Sequence, residues 1–320
     1  MKNKIIIVFS LTIILISIFS LNTAAFSEKR ADFSIIYDNL EIPFQTFSIF
    51  VLPGEEIEIS TAKEDKDEIY TFENSGGQYL YQQGNTFGWQ APTESGHYEL
   101  NIKYRGTKER SSEIKLNAFV LYPREEKNGQ YMEDFRIGNY PEIPADKKDH
   151  YSKPAGFLKI EESMLDLNLT PHFKMVQFLT RQSTELPQFI AIQESLLLKL
   201  ELFLAEVNKA GYKAETFGIV SLYRSPYFNK KLGNNTDFSR HLYGDAADIY
   251  IDNSGNQWMD DLNGDGHSNI NDANILYNLA FKFDKKEEYL KLQGGLSSYQ
   301  GNGVRGPFIH IDTRGFHVSW

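Results

Sequence analysis

The hardest constraint on how this chain folds is set by residues that lie far apart in it. Ser239-Arg240-His241-Leu242-Tyr243-Gly244-Asp245-Ala246-Ala247-Asp248 places a histidine and an aspartate on either side of a turn of small residues. Phe308-Ile309-His310-Ile311-Asp312 echoes it near the C-terminus. His241, Asp248 and His310 are the residue types of an open zinc site: two neutral imidazoles, one carboxylate and a fourth position left for water. Gly244 can take positive φ, and Ala246 and Ala247 leave room beside a metal. Asp248-Ile249-Tyr250-Ile251 alternates as a strand does, which sends the carboxylate to a fixed face. In the second segment Phe308, His310 and Asp312 share one face, and Ile309 and Ile311 share the other. A reactive face thus occurs twice, each time backed by apolar residues.

A single His near an Asp is ordinarily a surface or capping pair. The whole pattern is more specific. Ser-x-His-x-x-Gly-x-Ala-x-Asp followed by His-x-Asp resembles the zinc D-Ala-D-Ala carboxypeptidase and murein endopeptidase family, whose fold is shared by the vancomycin-resistance D,D-dipeptidases and the hedgehog signalling domain. The likeness runs from about residue 156 to Trp320 and includes Ser221-Leu222-Tyr223-Arg224-Ser225, similar to that family's Tyr-Arg-Ser/Thr element. It implies a C-terminal α+β domain of hedgehog/D,D-peptidase type and zinc-dependent hydrolysis of amide bonds in peptidoglycan stem peptides or cross-links. It leaves D,D- or L,D-carboxypeptidase and endopeptidase open. Arg224 matches an arginine that approaches substrate, where its fork suits a peptide carboxylate or a developing oxyanion. The chain departs from better-known relatives at the general base. Positions that carry an acid or a His there are Pro307 and Phe308 here. Asp312, on the face of His310, is the nearest candidate, either as base or as a partner that orients a ligand.

The start of the chain reads as a targeting segment over residues 1–27. Lys2 and Lys4 precede an apolar run, and Thr23-Ala24-Ala25 offers small residues for cleavage. The alternative is an uncleaved anchor, the one route by which the chain would engage a membrane. Either way the body is expected outside the cytoplasm, in the periplasm, cell envelope or extracellular space. The absence of cysteine excludes disulfides and lipid attachment through a thiol. A net charge of −10 argues against nucleic acid and, on average, against anionic polymers, unless a local patch departs from it.

Residues 32–122 carry short alternating segments such as Glu56-Ile57-Glu58-Ile59-Ser60, broken by Gly and Pro. This pattern predicts an all-β, immunoglobulin-like sandwich, with His97 on its surface. Residues 123–155 read as an ordered polar linker, with His150 solvated. Thr170-Pro171 reads as a helix start leading through His172 to Leu179, and 187–211 as a longer, well-buried helix. The zinc peptidase-like domain is expected over 156–320.

Within that domain lies an insertion at 252–280. Asp261-Leu262-Asn263-Gly264-Asp265-Gly266-His267-Ser268-Asn269-Ile270-Asn271-Asp272 has the ligand spacing of an EF-hand calcium loop. Asp261, Asn263, Asp265, Asn269 and Asp272 offer side-chain oxygens, and His267 its carbonyl. The loop and following helix resemble half a dockerin repeat. The stretch from Asp252 looks like a degenerate copy with Gln257 in place of the glycine, so a structural Ca²⁺ is expected rather than a scaffold-binding pair. The chain is therefore expected to be an exported zinc metallopeptidase acting on peptidoglycan peptides, the alternative being a non-catalytic, zinc-stabilised wall-binding or sensory module.

Overall fold

The computed structural model describes residues 26–62, 69–106, 111–234 and 236–320. The targeting segment up to residue 25 lies outside the described residues. Among those described, no helix is long and apolar enough to cross a membrane.

The chain is mostly β, built from several sheets with few helices. Its first part comprises β1 (Arg30–Tyr37), β2 (Leu40–Phe44), β3 (Thr46–Val51), β4 (Glu56–Thr61), β5 (Ile69–Asn74), β6 (Gln78–Gln83), β7 (Thr86–Gln90), β8 (Gly96–Arg105) and β9 (Ser111–Val120). They form two sheets, in the orders β2-β1-β4-β7-β6 and β3-β9-β8-β5. The alternation read from sequence is why: β4 buries Ile57, Ile59 and Thr61 and exposes Glu56 and Glu58. Rings from the two sheets meet in the core, with Phe72 of β5 stacked on Phe87 of β7 at 5.6 Å. Trp89 is fully buried, and its indole N–H donates to Gly76 O at 3.0 Å. His97 is half-buried rather than free on the surface, stacked on Phe119 and bonded to Asn117 Oδ1 at 3.0 Å.

The connector packs on the second part of the chain. Met132, Phe135 and Ile137 are buried, and Tyr140 and Tyr223 share a hydroxyl–hydroxyl bond of 2.8 Å. His150 is exposed, as its sequence suggests, while its carbonyl accepts from Arg240 Nη1 and its ring meets Phe316 edge-on.

The helix expected over 170–179 is absent. Asn168–Thr170 and Phe173–Lys174 pair as a small hairpin, and a single 3₁₀ turn, Met175–Phe178, follows. Phe173 and Met175 are buried while Lys174 and Val176 are exposed, a two-residue alternation that a helix cannot supply. The sandwich holds the hairpin from the other side, through Ser48 Oγ to Leu169 O at 2.7 Å and Asn117 Nδ2 to Asn168 O at 2.9 Å. His172 is accordingly no helix-face residue. Its ring stacks on Phe26, and its Nδ1 lies 2.7 Å from Glu201 Oε2.

The longer helix begins later than its sequence suggests, as α1 (Glu194–Lys209), because Gln188–Ile190 instead pairs with Gly156–Ile160. The remaining elements are β10 (Gly218–Ser221), α2 (Pro226–Lys231), β11 (Ala246–Tyr250), α3 (Ile270–Asp284), β12 (Gly295–Tyr299), β13 (Phe308–Asp312) and β14 (Val318–Ser319). The five strands form one sheet in the order β10-β11-β13-β12-β14. It is antiparallel except for the β12–β14 pair. Both α1 and α3 contact one another, and α3 covers β12 and β13.

Candidate metal centre

The register of β11 against β13 places Asp248 directly opposite His310. His241 reaches the same point from a 3₁₀ turn, Arg240–Tyr243, that ends at Gly244. Gly244 has φ of +77°, and a Cβ there would stand 2.5 Å from the Ala191 carbonyl carbon. Only glycine satisfies both conditions, so this turn is fixed by its sequence. Gln193, just ahead of α1, clasps the turn: its N–H donates to Gly244 O at 3.0 Å and its Nε2 to Tyr243 O at 3.0 Å.

His241, Asp248 and His310 are all buried, and one ligand atom from each lies within 4.8 Å of the others. They are the one such group of His, Asp or Glu found among the described residues. Asp248 Oδ1 is 3.2 Å from His241 Nε2 and 3.0 Å from His310 Nδ1. Ligands about 2.0–2.1 Å from a tetrahedral zinc ion stand roughly 3.3 Å apart, so the spacing fits such an ion. Each imidazole is held by its far nitrogen. His241 Nδ1 donates to Leu222 O at 2.6 Å, and His310 Nε2 to Asp312 Oδ2 at 3.1 Å. With both outward protons taken, His241 Nε2 and His310 Nδ1 are left to present lone pairs to one point.

The electrostatics follow from that enclosure. Burial pushes the His241 imidazolium down, towards the neutral form a metal needs. Burial also disfavours charge on His310, but hydrogen bonds to Asp248 and Asp312 outweigh it and raise its pKa. For Asp248, desolvation is outweighed by His241, His310 and Arg224, which hold the carboxyl well below the usual carboxylate range. Burial pushes neighbouring Asp245 up to about 6, against the opposing pull of Arg240.

Asp312 does not line the cleft above the cluster. It is fully buried, and its carboxylate accepts from His310, from the Arg314 guanidinium and from Gly295 N–H at 2.8 Å. Arg314 and His310 outweigh desolvation and depress its pKa. Of the two roles open to it, this arrangement suits the one that orients His310. A base role is a poor match, since the carboxylate does not line the cleft and its oxygens are taken by His310, Arg314 and Gly295 N–H. Gly294 and Gly295 leave room for Asp312: a Cβ on Gly295 would stand 2.5 Å from Asp312 Oδ2. Arg224 does line the cleft, with Nε on Ser221 Oγ at 2.8 Å and Nη2 on Asp248 Oδ2.

Sequence reasoning missed Lys199. It is fully buried on α1, ion-paired with Asp284 Oδ1 at 2.8 Å and donating to Leu292 O at 3.0 Å and Asp312 O at 2.9 Å. It thereby ties α1 and α3 to the end of the strand that carries His310. A lysine among the leucines of a helical run, two residues before Glu201, was the available signal.

The calcium-type loop has a different character. Asp261 Oδ1 accepts from Gly264 N and Asp265 N, and Oδ2 from Gly266 N at 2.6 Å. Gly264 and Gly266 have φ of +75° and +85°. Asp272 is buried at the start of α3, where it accepts from Leu262, Asn263 and Asn269 N–H. Asn263 Nδ2 donates to Asp265 Oδ2 at 3.0 Å, and His267 O accepts from Asn269 Nδ2 at 3.4 Å. Asp261, Asp265 and Asp272 are not gathered as the three buried ligands are. The stretch from Asp252 repeats the local geometry: its carboxylate accepts from Asn256 N and Gln257 N, and Gln257 sits at φ of +63°.

Comparison with protein-family models and with curated proteins returns no match for this chain.

Proposed function

We propose that the C-terminal part of this exported protein is a zinc-dependent peptidase of peptidoglycan peptides, cutting amide bonds in stem peptides or cross-links. The observation that carries this reading is the convergence of His241 Nε2, Asp248 Oδ1 and His310 Nδ1, each imidazole locked from behind, on the floor of an open cleft of about 650 Å³. A zinc ion held there supplies Lewis-acid polarisation of a carbonyl and an acidified water. The chain's own residues contribute the rest. Leu222 O and Asp312 fix the two tautomers. Arg224, tied to Asp248, holds positive charge beside the reacting centre, where negative charge would develop on a scissile carbonyl. Tyr299, Phe308 and Trp320 supply apolar walls that restrict water.

One observation favours a second reading, a zinc-stabilised module that binds cell-wall peptides or senses them without cutting. Among the described residues, Asp248 is the one carboxylate in the cleft lining, so no separate acid stands ready to move a proton. A single experiment separates the two. Purified peptidoglycan fragments are digested with the exported portion plus zinc, plus chelator, and with His241→Ala, and products are read by mass spectrometry. New amines at one defined bond, absent from both controls, support the peptidase. Folded, zinc-loaded protein that leaves every fragment intact leaves the binding module.

The reading includes Ca²⁺ in the loop 261–272, supported by the inward fold of Asp261 and the two left-handed glycines. Calcium at 100 times its dissociation constant would stabilise the protein by about 2.7 kcal/mol. Thermal unfolding with calcium and with chelator tests it, and Asp261→Ala is expected to abolish the difference.

A further inference from the structure

The cleft above the metal ligands is cationic in a protein whose net charge is −10. Four arginines line it, Arg224, Arg240, Arg305 and Arg314, against the single lining carboxylate of Asp248. Three of the four are spoken for. Arg224 is paired with Asp248, Arg240 with Asp245 and Arg314 with Asp312. Arg305 is the exception: among the described residues its guanidinium has no ion pair and no hydrogen-bond acceptor, and its one contact of note is the ring of Phe308, 4.7 Å away.

Its position is nevertheless built. Asn302 N–H donates to Arg305 O at 2.8 Å, and Asn302 Oδ1 accepts from Arg305 N–H at 3.1 Å, closing the loop that carries it. Gly306 beside it lies under the Trp258 indole, where a Cβ would come within 2.9 Å of the ring, so the insertion buttresses this loop. Phe308, on which the guanidinium rests, is two residues from His310 on the same face of β13, about 7 Å along the strand. A fork held over Phe308 is therefore within one or two peptide units of a carbonyl placed at the metal ligands, at roughly 3.5 Å per residue.

We propose that Arg305 is the specificity-determining residue of this site, and that it reads a carboxylate carried by the substrate one or two residues from the scissile bond. This rests on the proposed peptide-binding cleft. The guanidinium is planar, always charged and stacked on an aromatic face, which leaves its edge free for a bidentate carboxylate. A neutral peptide would bury it without compensation. The class selected is a peptide ending in a free carboxylate near the cleavage point, or bearing a side-chain carboxylate there.

The test uses the zinc-loaded exported chain with acetylated alanyl-D-alanyl-D-alanine and its C-terminal amide. Binding is measured by calorimetry and cleavage by mass spectrometry, for wild type, Arg305→Gln and Arg305→Lys. Wild type is expected to bind the free acid about 10- to 100-fold more tightly than the amide. Arg305→Gln should erase that preference, and Arg305→Lys should retain only part of it, all three proteins unfolding at the same temperature. Equal binding of acid and amide by wild type, a preference that survives Arg305→Gln, or no binding of either peptide overturns the proposal. Carboxylate-dependent binding without any cleavage supports Arg305 and overturns only the peptidase reading.

Discussion

The two parts of this chain treat buried polar groups in opposite ways. In the sandwich the buried polar residues among those described are Ser48, Thr61 and Asn117, and none is charged. Ser48 and Asn117 are turned towards the seam, where they bond the Asn168–Thr170 strand. In the second part Lys199, Glu201, Arg240, Asp245, Asp248, Asp272, Asp284 and Asp312 are all buried. Burying charge is costly unless it is paired and hydrogen-bonded, and in a fold free to choose, apolar residues do at least as well. The sandwich has made that choice. The second part has not: Asp248 belongs to the candidate metal cluster, Lys199, Asp284 and Asp312 lie behind it, Arg240 and Asp245 pair beside it, and Glu201 and Asp272 hold His172 and the start of α3 elsewhere. The difference sets a sandwich with no buried charge, among the described residues, against a part that holds the candidate metal cluster.

The largest test of that contrast is removal of a ligand. Asp248→Asn leaves His241 and His310 in place but takes away the only carboxylate among the three. Zinc affinity, measured by competition with a chromophoric chelator, is expected to fall by more than about 100-fold, beyond the range for residues that only orient ligands. An affinity within tenfold of wild type would mean that the cluster is merely a hydrogen-bonded core.

Next is Lys199→Met. It leaves Asp284 buried with its cation gone, and takes the Lys199 donor from Asp312 O and Leu292 O. Breaking a buried pair from one side costs about 3–5 kcal/mol. Ile59→Val in the sandwich core, the matched control, should cost about 0.5–1.5 kcal/mol. Urea unfolding of both variants measures the gap, and equal losses would erase the distinction drawn between the two parts.

Asp312→Asn sharpens the contrast further, because it separates support from chemistry. If Asp312 orients His310, the variant loses about 10- to 100-fold in zinc affinity. If Asp312 were a base, zinc affinity would be unchanged and only turnover would fall.

What was legible in the sequence follows from the same physics. Donor identity is local information, so His241, Asp248 and His310 could be read from residue type and strand alternation. The register that sets Asp248 opposite His310 could not, since it is fixed by pairing between strands 62 residues apart. Alternation put Asp312 on the face of His310 but could not say which imidazole nitrogen it would meet. The small hairpin at 168–174 was misread because Thr-Pro starts a helix only where nothing else claims the backbone, and here the Ser48 and Asn117 side chains of β3 and β9 bond Leu169 O and Asn168 O. Arg305 carries no local mark at all. Among the described residues it is distinguished only by the partners the other three arginines have and it lacks.

The smallest effect lies at the seam between the two parts. Glu194, the first residue of α1, is half-buried overall, with its carboxyl end enclosed against the edge of β3, where Oε1 accepts from Phe50 N–H at 2.8 Å. Desolvation, against the help of that N–H and with Asp38 and Glu55 on the sandwich side adding repulsion, raises its pKa from 4.5 to about 7. Tyr37, also facing it, is pushed up in turn, so it stays neutral. The folded protein thus binds more protons than the unfolded chain between pH 4.5 and about 7. Stability from this group is complete below that window and is lost as pH rises through it. The loss is on the order of 1–2 kcal/mol once partial exposure is allowed for. Glu194→Gln keeps an oxygen for Phe50 N–H but cannot ionise, so it should unfold at higher urea than wild type at pH 8 and match it near pH 4.5. A wild-type profile already flat across this window would show that the seam tolerates the charge.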